Sequence, residues 1–298
     1  MNTEALRTVA ATYGTPTYIF DVREVEARIR LLRSLLPEDT GLCFAVKANP
    51  FLIPYVADLV DRLEVCSPGE YEICIQEQIA PEKIVVSGVN KTYESMKRIL
   101  SYSKGAGIYT IESEEHAKIL RTLAEKNQMP LSVLIRLSSG NQFGVDAETF
   151  LRLAKEIQES PYLTLAGVHY YAGTQKRQSK LEKELDTLTA FAKTFEEETG
   201  TVLNELEYGA GMKVSYFIND SEKDQRESEP EPQIQALAEK LRTCAYGKKT
   251  IELGRFLVSM SGYYLTRVMD VKRTAQPGFL ILDGGIHQIN YYGWMMGM

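Results

Sequence analysis

Short apolar runs alternate with amphipathic stretches along most of this chain. In the amphipathic stretches, such as residues 114–126 and 149–159, apolar positions recur at the spacing of an α-helix. The short apolar runs are typical of buried strands, and they lie at residues 42–48, 63–67, 83–88, 108–113, 131–138, 165–172, 205–211 and 250–254. Eight strands that alternate with helices predict an α/β fold, and specifically a (β/α)8 TIM-type barrel. The alternative is a doubly wound open sheet, but no G-x-G-x-x-G turn follows an early strand.

Two segments do not fit the alternation of strands and helices. Residues 219–232 are polar and lack apolar periodicity, which predicts a mobile surface excursion. Strand-like runs at residues 263–271 and 279–282 predict the start of an incomplete C-terminal β-domain. We therefore predict a barrel over residues 22–255 and a partial β-domain, apparently truncated, from residues 1–21 and 256–298.

Composition excludes several classes of protein. The chain has 298 residues, of which 44% are hydrophobic and 25% charged, as expected for a globular protein with a large core. The net charge of −6 argues against nucleic acid or an anionic membrane as a partner. Neither the four cysteines nor the histidines have metal-ligand spacing, so we expect no metal. Because neither a signal peptide nor a membrane-spanning run is recognisable, we expect a cytoplasmic protein.

Lys47 is the strongest candidate for chemistry. It ends the first predicted strand of the barrel and is followed by Ala-Asn-Pro. Burial at a barrel rim would lower the pKa of the ammonium and free an amine that can form a Schiff base with a carbonyl. The alternative is a lysine that extends its ammonium into solvent from the end of a strand.

The carboxyl ends of the other predicted strands add a second set of candidates, since chemistry in such barrels gathers there. Glycine turns at Gly209-Ala210-Gly211 and Gly254-Arg255 suit a phosphate, although each could be an ordinary tight turn. Glu252 could face the ring nitrogen of a pyridine, or pair with Arg136 or Arg255. Tyr171 could lie against a flat cofactor or belong to the core. His169 is either a core residue or a catalytic one.

Several motifs together resemble the pyridoxal-phosphate-dependent decarboxylases with an alanine-racemase-like barrel, which include ornithine and diaminopimelate decarboxylases. The resemblance runs over nearly the whole chain and is carried by Tyr13-Gly14-Thr15-Pro16, Ala45-Val46-Lys47-Ala48-Asn49, Val65-Cys66-Ser67-Pro68-Gly69-Glu70, Gly167-Val168-His169, Ala172-Gly173-Thr174-Gln175, Glu252-Leu253-Gly254-Arg255 and Asp283-Gly284-Gly285. It implies that pyridoxal phosphate forms a Schiff base with Lys47 and that Glu252 faces its pyridine nitrogen. It also implies that Tyr171 stacks on the ring, with Glu64 and Arg136 nearby. The residues implied around the phosphate are Gly173, Thr174, Gly209, Ala210, Gly211, Gly254 and Arg255.

The sequence departs from the family pattern at several positions. Family members commonly carry histidine at Tyr171, aspartate at Glu64 and Glu207, and proline at Leu253. These variants look like a branch found with carrier-protein pathways, so the substrate is expected to be either a small amino acid or an amino acid tethered to a carrier protein. The family's C-terminal β-domain completes the partner's site in a homodimer. The chain stops before those motifs, which implies either a truncated product or a second chain that supplies them.

The resemblance and these departures leave three functions open. The first is decarboxylation of an amino acid, with Lys47 and His169 as catalytic candidates. The second is a catalytically silent subunit that binds pyridoxal phosphate, and the third is an amino-acid racemase on the same fold. The residues do not reveal which amino acid would be the substrate.

Overall fold

The computed structural model describes residues 1–217, 220–273 and 278–289. Its strands are β1 (Thr17–Phe20), β2 (Thr40–Ala45), β3 (Arg62–Val65), β4 (Ile84–Val86), β5 (Ile108–Ile111), β6 (Leu131–Arg136), β7 (Leu163–Tyr171), β8 (Glu205–Gly209), β9 (Lys248–Leu253), β10 (Gly262–Leu265), β11 (Val268–Lys272) and β12 (Phe279–Leu282). Its helices are α1 (Thr3–Tyr13), α2 (Val22–Leu35), α3 (Ile53–Val56), α4 (Pro68–Gln76), α5 (Tyr93–Ser103), α6 (Glu114–Asn127), α7 (Ala147–Gln158), α8 (Gln178–Thr199), α9 (Glu222–Glu227), α10 (Pro230–Thr243) and α11 (Arg255–Val258). Short 3-10 turns lie at Val46–Ala48, Pro50–Leu52, Pro81–Lys83 and Ile286–Gln288.

The eight strands from β2 to β9 form a closed parallel barrel in sequential order. The barrel closes where β2 pairs with β9, from Thr40 opposite Lys249 to Phe44 opposite Leu253. Parallel neighbours need crossover connections, and helices supply most of them. The predicted (β/α)8 barrel is therefore confirmed, and the carboxyl ends of all eight strands meet at one rim.

Four of the helices that position the barrel strands begin at a capping residue. Ser67, Thr92, Ser113 and Asp146 each accept a backbone N–H with the side chain at the first turn of α4, α5, α6 and α7 respectively. Apolar faces then pack the helices together. Phe150 of α7 makes edge contacts with two phenylalanines of α8, whose ring centroids lie 5.0 and 5.7 Å away. These contacts hold the helices that fix the strand ends at the rim.

The chain divides into two compact units, Met1–Glu24 with Met260–Met298, and Val25–Ser259. The second unit is the barrel. In the first unit, β1 pairs with β10 and β11 pairs with β12, both antiparallel. The assignment of residues 1–21 and 256–298 to a β-domain stays a prediction, and residues 290–298, including the predicted end of that segment, lie outside the described residues.

Residues 219–232, which the sequence predicts as a mobile surface excursion, are largely helical in the part that the structure describes. Residues Glu222–Glu227 form α9, and α10 begins at Pro230. Proline suits the first turn of a helix because its missing N–H would have no partner there. The sequence also did not predict α1, a helix with no buried residue.

The described residues contain neither a candidate membrane-spanning helix nor a cluster of metal-ligating side chains. No helix there combines the length and the apolar character that crossing a membrane requires. Within the same ranges, no group of three or more His, Cys, Asp or Glu side chains is arranged to hold a metal ion.

Candidate active site

Lys47 lies at the carboxyl-end rim of the barrel, but in a 3-10 turn and not in a strand. Strand β2 ends at Ala45, and the turn Val46–Ala48 follows directly. The turn carries the Lys47 ammonium toward the neighbouring strands, where Nζ lies 2.9 Å from Glu64 Oε2 and 3.5 Å from Glu252 Oε1. Glu64 and Glu252 stand next to the last residues of β3 and β9, which both pair with β2. Two residues far apart in sequence thus bracket one amine.

These two carboxylates reverse the expected direction of the Lys47 pKa. Burial by itself would lower the pKa of the ammonium, but the negative charges of Glu252 and then Glu64 outweigh it, so the pKa lies above its ordinary value. The expectation that burial frees a neutral amine is wrong for this arrangement of the chain. Lys47 is held as a cation, and its proton must pass to an acceptor before the amine can attack a carbonyl.

Glu252 is buried and has two cationic or proton-donating neighbours. Besides Lys47, His169 lies against it, with Nε2 3.1 Å from Glu252 Oε2. Burial would raise the pKa of the Glu252 carboxyl, but the Lys47 charge and the His169 hydrogen bond lower it below its ordinary value. Glu252 therefore stays ionised. Among the described residues it pairs with Lys47 and His169, and Arg136 acts on it only as a charge at longer range. The other ring nitrogen of His169, Nδ1, has no hydrogen-bond partner among the described residues.

Tyr171 forms a half-buried aromatic surface beside the amine. Lys47 Nζ lies 5.5 Å from the centroid of its ring, and the Arg136 guanidinium lies 6.0 Å from it. Arg136 also donates from Nη2 to the Tyr171 carbonyl at 3.2 Å and from Nη1 to Glu112 Oε2 at 2.8 Å. Burial raises the pKa of the Tyr171 hydroxyl, so that group keeps its proton. The ring is a flat, cation-flanked platform.

The other end of the site is built from glycine turns. A cavity of about 210 Å³ is lined by Lys47, Tyr171, Thr174, Gly211, Gly254 and Arg255, among others. Gly211 has a φ of +58°, and a Cβ there would stand 2.1 Å from the Gly173 carbonyl oxygen, so only glycine fits. Half-buried Arg255 hydrogen-bonds the Tyr216 hydroxyl. Gly209 and Ala210 are buried and do not line this cavity, and neither does the half-buried Gly173.

The donor set fits pyridoxal phosphate. A second cavity, of about 310 Å³, is lined by Lys47, Glu64, Arg136, His169, Tyr171 and Glu252, among others. It shares Lys47, Tyr171 and Glu252 with the first. Together the two cavities offer an amine for an aldehyde, a buried carboxylate for a pyridine nitrogen, an aromatic face for the ring and glycine backbone with an arginine for a phosphate.

Sequence reasoning missed two polar neighbours of the amine. Cys66 is one of them: its Sγ lies 3.4 Å from Lys47 Nζ and 2.8 Å from Glu64 Oε1, and it lines the second cavity. Ser87 hydrogen-bonds the same Glu64 carboxylate. The alternation of side chains along a strand was an available signal for Cys66, because it stands two positions after Glu64. No local signal marks Ser87.

Comparisons with known proteins show which family this chain matches. Residues 22–259 match the family described as "Pyridoxal-dependent decarboxylase, pyridoxal binding domain". A diaminopimelate decarboxylase of Actinosynnema pretiosum is 31% identical over 299 residues, which cover 93% of this chain and 66% of that protein. An L-glutamyl-[BtrI acyl-carrier protein] decarboxylase of Niallia circulans is 25% identical over 312 residues, which cover 96% of this chain and 71% of that protein.

Solved structures show the same fold. The lysine/ornithine decarboxylase of Vibrio vulnificus, complexed with putrescine, superposes with a TM-score of 0.82 at 18% identity, covering 96% of this chain and 77% of that one. This chain thus spans roughly two thirds to three quarters of the length of the proteins that it matches. From the barrel, the site and the matched family, this chain belongs to the pyridoxal-dependent decarboxylases.

Proposed function

We propose that this chain holds pyridoxal phosphate at Lys47 and acts in the decarboxylation of an amino acid. The observation that carries the proposal is the position of Lys47 Nζ, 2.9 Å from Glu64 and 3.5 Å from Glu252, where the two cavities meet. When bound, pyridoxal phosphate supplies an electron-withdrawing ring that accepts the electron pair released as the substrate loses carbon dioxide. The residues of the chain bind and orient the reacting groups and move protons.

Glu64 and Glu252 have different parts in this proposal. Glu64 Oε2 hydrogen-bonds Lys47 Nζ and can accept the proton that the amine loses before it reacts. Glu252 is kept ionised by Lys47 and His169, so it can hold a proton on a pyridine nitrogen opposite it. His169 keeps the Glu252 carboxylate in place through its Nε2 hydrogen bond. His169 is therefore proposed as a positioning residue for Glu252.

The remaining site residues bind and orient. The Tyr171 ring, flanked by Lys47 and Arg136, supports a planar group. Thr174, Gly211, Gly254 and Arg255 line the cavity end that suits a phosphate. Gly173, Gly209 and Ala210 form the backbone next to that lining and shape the turn.

The substrate is proposed to be an amino acid, either free or tethered to a carrier protein. Support for a free substrate comes from the relative named as a diaminopimelate decarboxylase, and support for tethering from the relative named as acting on a glutamyl carrier protein. The two cases differ in what must enter the site, since a tethered substrate arrives on a flexible arm from a second protein. Parallel assays with free and carrier-bound amino acids separate them.

We further propose that the active assembly contains more β-structure than the described residues form. Strands β11 and β12 make a two-stranded sheet in which consecutive apolar residues are exposed, including Phe279 at 56% and Leu280 at 62%. Consecutive residues of a strand point to opposite faces, so both faces of this two-stranded sheet carry exposed apolar side chains. Additional strands could come from a longer form of this polypeptide, from a second copy in a homodimer or from a different chain.

The test measures carbon dioxide release and amine formation from labelled amino acids, with the protein loaded with pyridoxal phosphate. Diaminopimelate, ornithine, lysine and carrier-bound glutamate are the substrates to compare, each with the wild type and with Lys47→Ala. The proposal expects amine from one of them in the wild type only. Exchange of the α-hydrogen without carbon dioxide release would contradict decarboxylation and favour a racemase. If the protein binds the cofactor but shows neither decarboxylation nor α-hydrogen exchange, even when a separate chain that supplies the additional β-strands is present, a silent subunit would be favoured.

A further inference from the structure

Lys176 is a buried lysine that contacts both ends of the Gly209–Gly211 turn. Its Nζ donates to the Gly209 carbonyl oxygen at 2.9 Å, and its backbone N–H donates to the Gly211 carbonyl oxygen at 3.0 Å. Its side chain is only 1% exposed. One residue thereby fixes the path of the turn that borders the proposed phosphate end of the site.

The charge of Lys176 is only partly balanced by its surroundings. Its Nζ also donates to Glu184 Oε2 at 2.8 Å, and the Tyr208 hydroxyl donates to the same oxygen at 2.7 Å. The carboxylate is thus shared between two donors. The ammonium lies 5.0 Å from the centroid of the Tyr208 ring and 5.7 Å from that of the Tyr171 ring, which lines the cavity. Lys176 is therefore a desolvated cation beside the glycine turn.

A buried lysine is costly to the fold and needs a compensating interaction. Burial lowers the pKa of Lys176, even though Glu184 acts in the opposite direction. An apolar side chain of similar length would avoid this cost and still fill the space. A dianion at the adjacent turn would interact favourably with the ammonium, because charges inside a protein are screened less than in water.

We propose that Lys176 is a positioning residue for the phosphate group of the cofactor, an inference that rests on the proposed binding of pyridoxal phosphate. Its hydrogen bonds hold the Gly209–Gly211 turn, and its charge favours the dianionic phosphate over a neutral group. The role is specific to the phosphate, which separates it from a general contribution to the fold. Pyridoxal, which has the same ring and aldehyde but lacks the phosphate, is therefore the matched probe.

The experiment titrates pyridoxal phosphate and pyridoxal separately into the full chain and follows the visible absorbance of the bound cofactor. Lys176→Met removes the charge, and Lys176→Arg keeps it. Lys91→Met is the control, because Lys91 is also buried and donates to a backbone carbonyl, Gly88 O at 2.6 Å, in the loop after β4. Glu184→Gln gives a second variant that leaves Lys176 in place and removes its counter-charge.

Lys176→Met is expected to lower the affinity for pyridoxal phosphate by about tenfold or more, and to change the affinity for pyridoxal by less than about threefold. Lys176→Arg is expected to recover part of the loss, and Lys91→Met is expected to keep the wild-type ratio of the two affinities. Glu184→Gln is expected to raise the preference for the phosphorylated form.

The inference is overturned if Lys176→Met lowers the affinities for both compounds equally, or lowers neither. If Lys176→Met does not fold, a lower preference for pyridoxal phosphate in Glu184→Gln overturns it as well. A wild type that binds neither compound overturns the proposed function together with this role, whereas wild-type binding with an unchanged ratio in Lys176→Met overturns the role alone.

Discussion

Replacing Lys47 with methionine should destabilise the fold in a manner that depends on pH. The change removes the cation between Glu64 and Glu252, whose side chains are 2% and 4% exposed, and leaves two buried carboxylates near each other. Breaking a fully buried ion pair by removing one partner costs about 3–5 kcal/mol. The Lys47 side chain is 41% exposed, so water screens its charge, and we expect a smaller loss of about 1–2 kcal/mol at neutral pH.

The pH dependence follows from the direction of the Glu252 pKa. In the wild type this pKa is held below its ordinary value, so its contribution to stability is present above about pH 4.3 and is lost as the pH falls further. Without Lys47 the pKa of Glu252 rises, because one favourable charge is gone while Glu64 remains. The difference between wild type and variant should therefore be largest near pH 7 and shrink as the pH approaches 4.

Urea unfolding of the cofactor-free proteins between pH 4 and pH 8 measures this difference. Lys180→Met is the control, since Lys180 is 55% exposed and lies 4.0 Å from Glu184, so its removal should cost less than about 0.5 kcal/mol at every pH. The double variant Lys47→Met/Glu252→Gln should recover about 1 kcal/mol relative to Lys47→Met alone. A loss that does not change with pH, or no recovery in the double variant, would refute the electrostatic reasoning.

Three further predictions concern the turn, a buried histidine and the aromatic platform. Gly211→Ala should lower the free energy of unfolding by more than about 2 kcal/mol, because the φ of +58° is unfavourable and its Cβ would meet the Gly173 carbonyl oxygen at 2.1 Å. The control Gly140→Ala also has a positive φ but no atom within 4 Å, so it should cost about 1 kcal/mol, and equal losses would contradict the steric argument. Burial, and then the charge of Lys91, lower the pKa of His116 to about 4, so folding favours its neutral form and stability is lost as the pH falls below its ordinary pKa of about 6.5. Between pH 7 and pH 4.5, His116→Gln should lose about 2 kcal/mol less of its free energy of unfolding in urea than the wild type does. An unchanged pH dependence would contradict a buried neutral His116. Tyr171→Phe should bind pyridoxal phosphate within about threefold of wild type in an absorbance titration, and Tyr171→Ala about tenfold more weakly, whereas equal affinities would exclude a stacking role.

Most of the fold could be predicted from the sequence because the barrel strands are buried on both sides. Such strands appear as continuous apolar runs, as in β5 and β6, where only Ser132 is more than slightly exposed. The polar segment before α10 is harder to predict, because the apolar periodicity that marks a helix is absent there. The apolar residues that hold α10, such as Ile234 and Leu237, begin only after the two prolines.

The residues of the site could be predicted better than their electrostatics. Their positions at strand ends predict that Lys47, Glu64 and Glu252 are neighbours at one rim, but distances between side chains cannot be predicted in this way. The direction of the Lys47 pKa depends on whether burial or two carboxylates dominate, and separations of 2.9 and 3.5 Å decide for the carboxylates. Lys176 was overlooked for a related reason, since a lysine after a turn is ordinarily a solvent-exposed residue.

The central claim is that Lys47 is the residue that holds pyridoxal phosphate. It is tested most directly by loading the protein with the cofactor, reducing it with borohydride and locating the phosphopyridoxyl group by peptide mass spectrometry. We predict one modified lysine, at Lys47, with the visible absorbance of the loaded protein absent in Lys47→Ala. Modification at another lysine, such as Lys91 or Lys176, or visible absorbance that persists in Lys47→Ala, would contradict the claim.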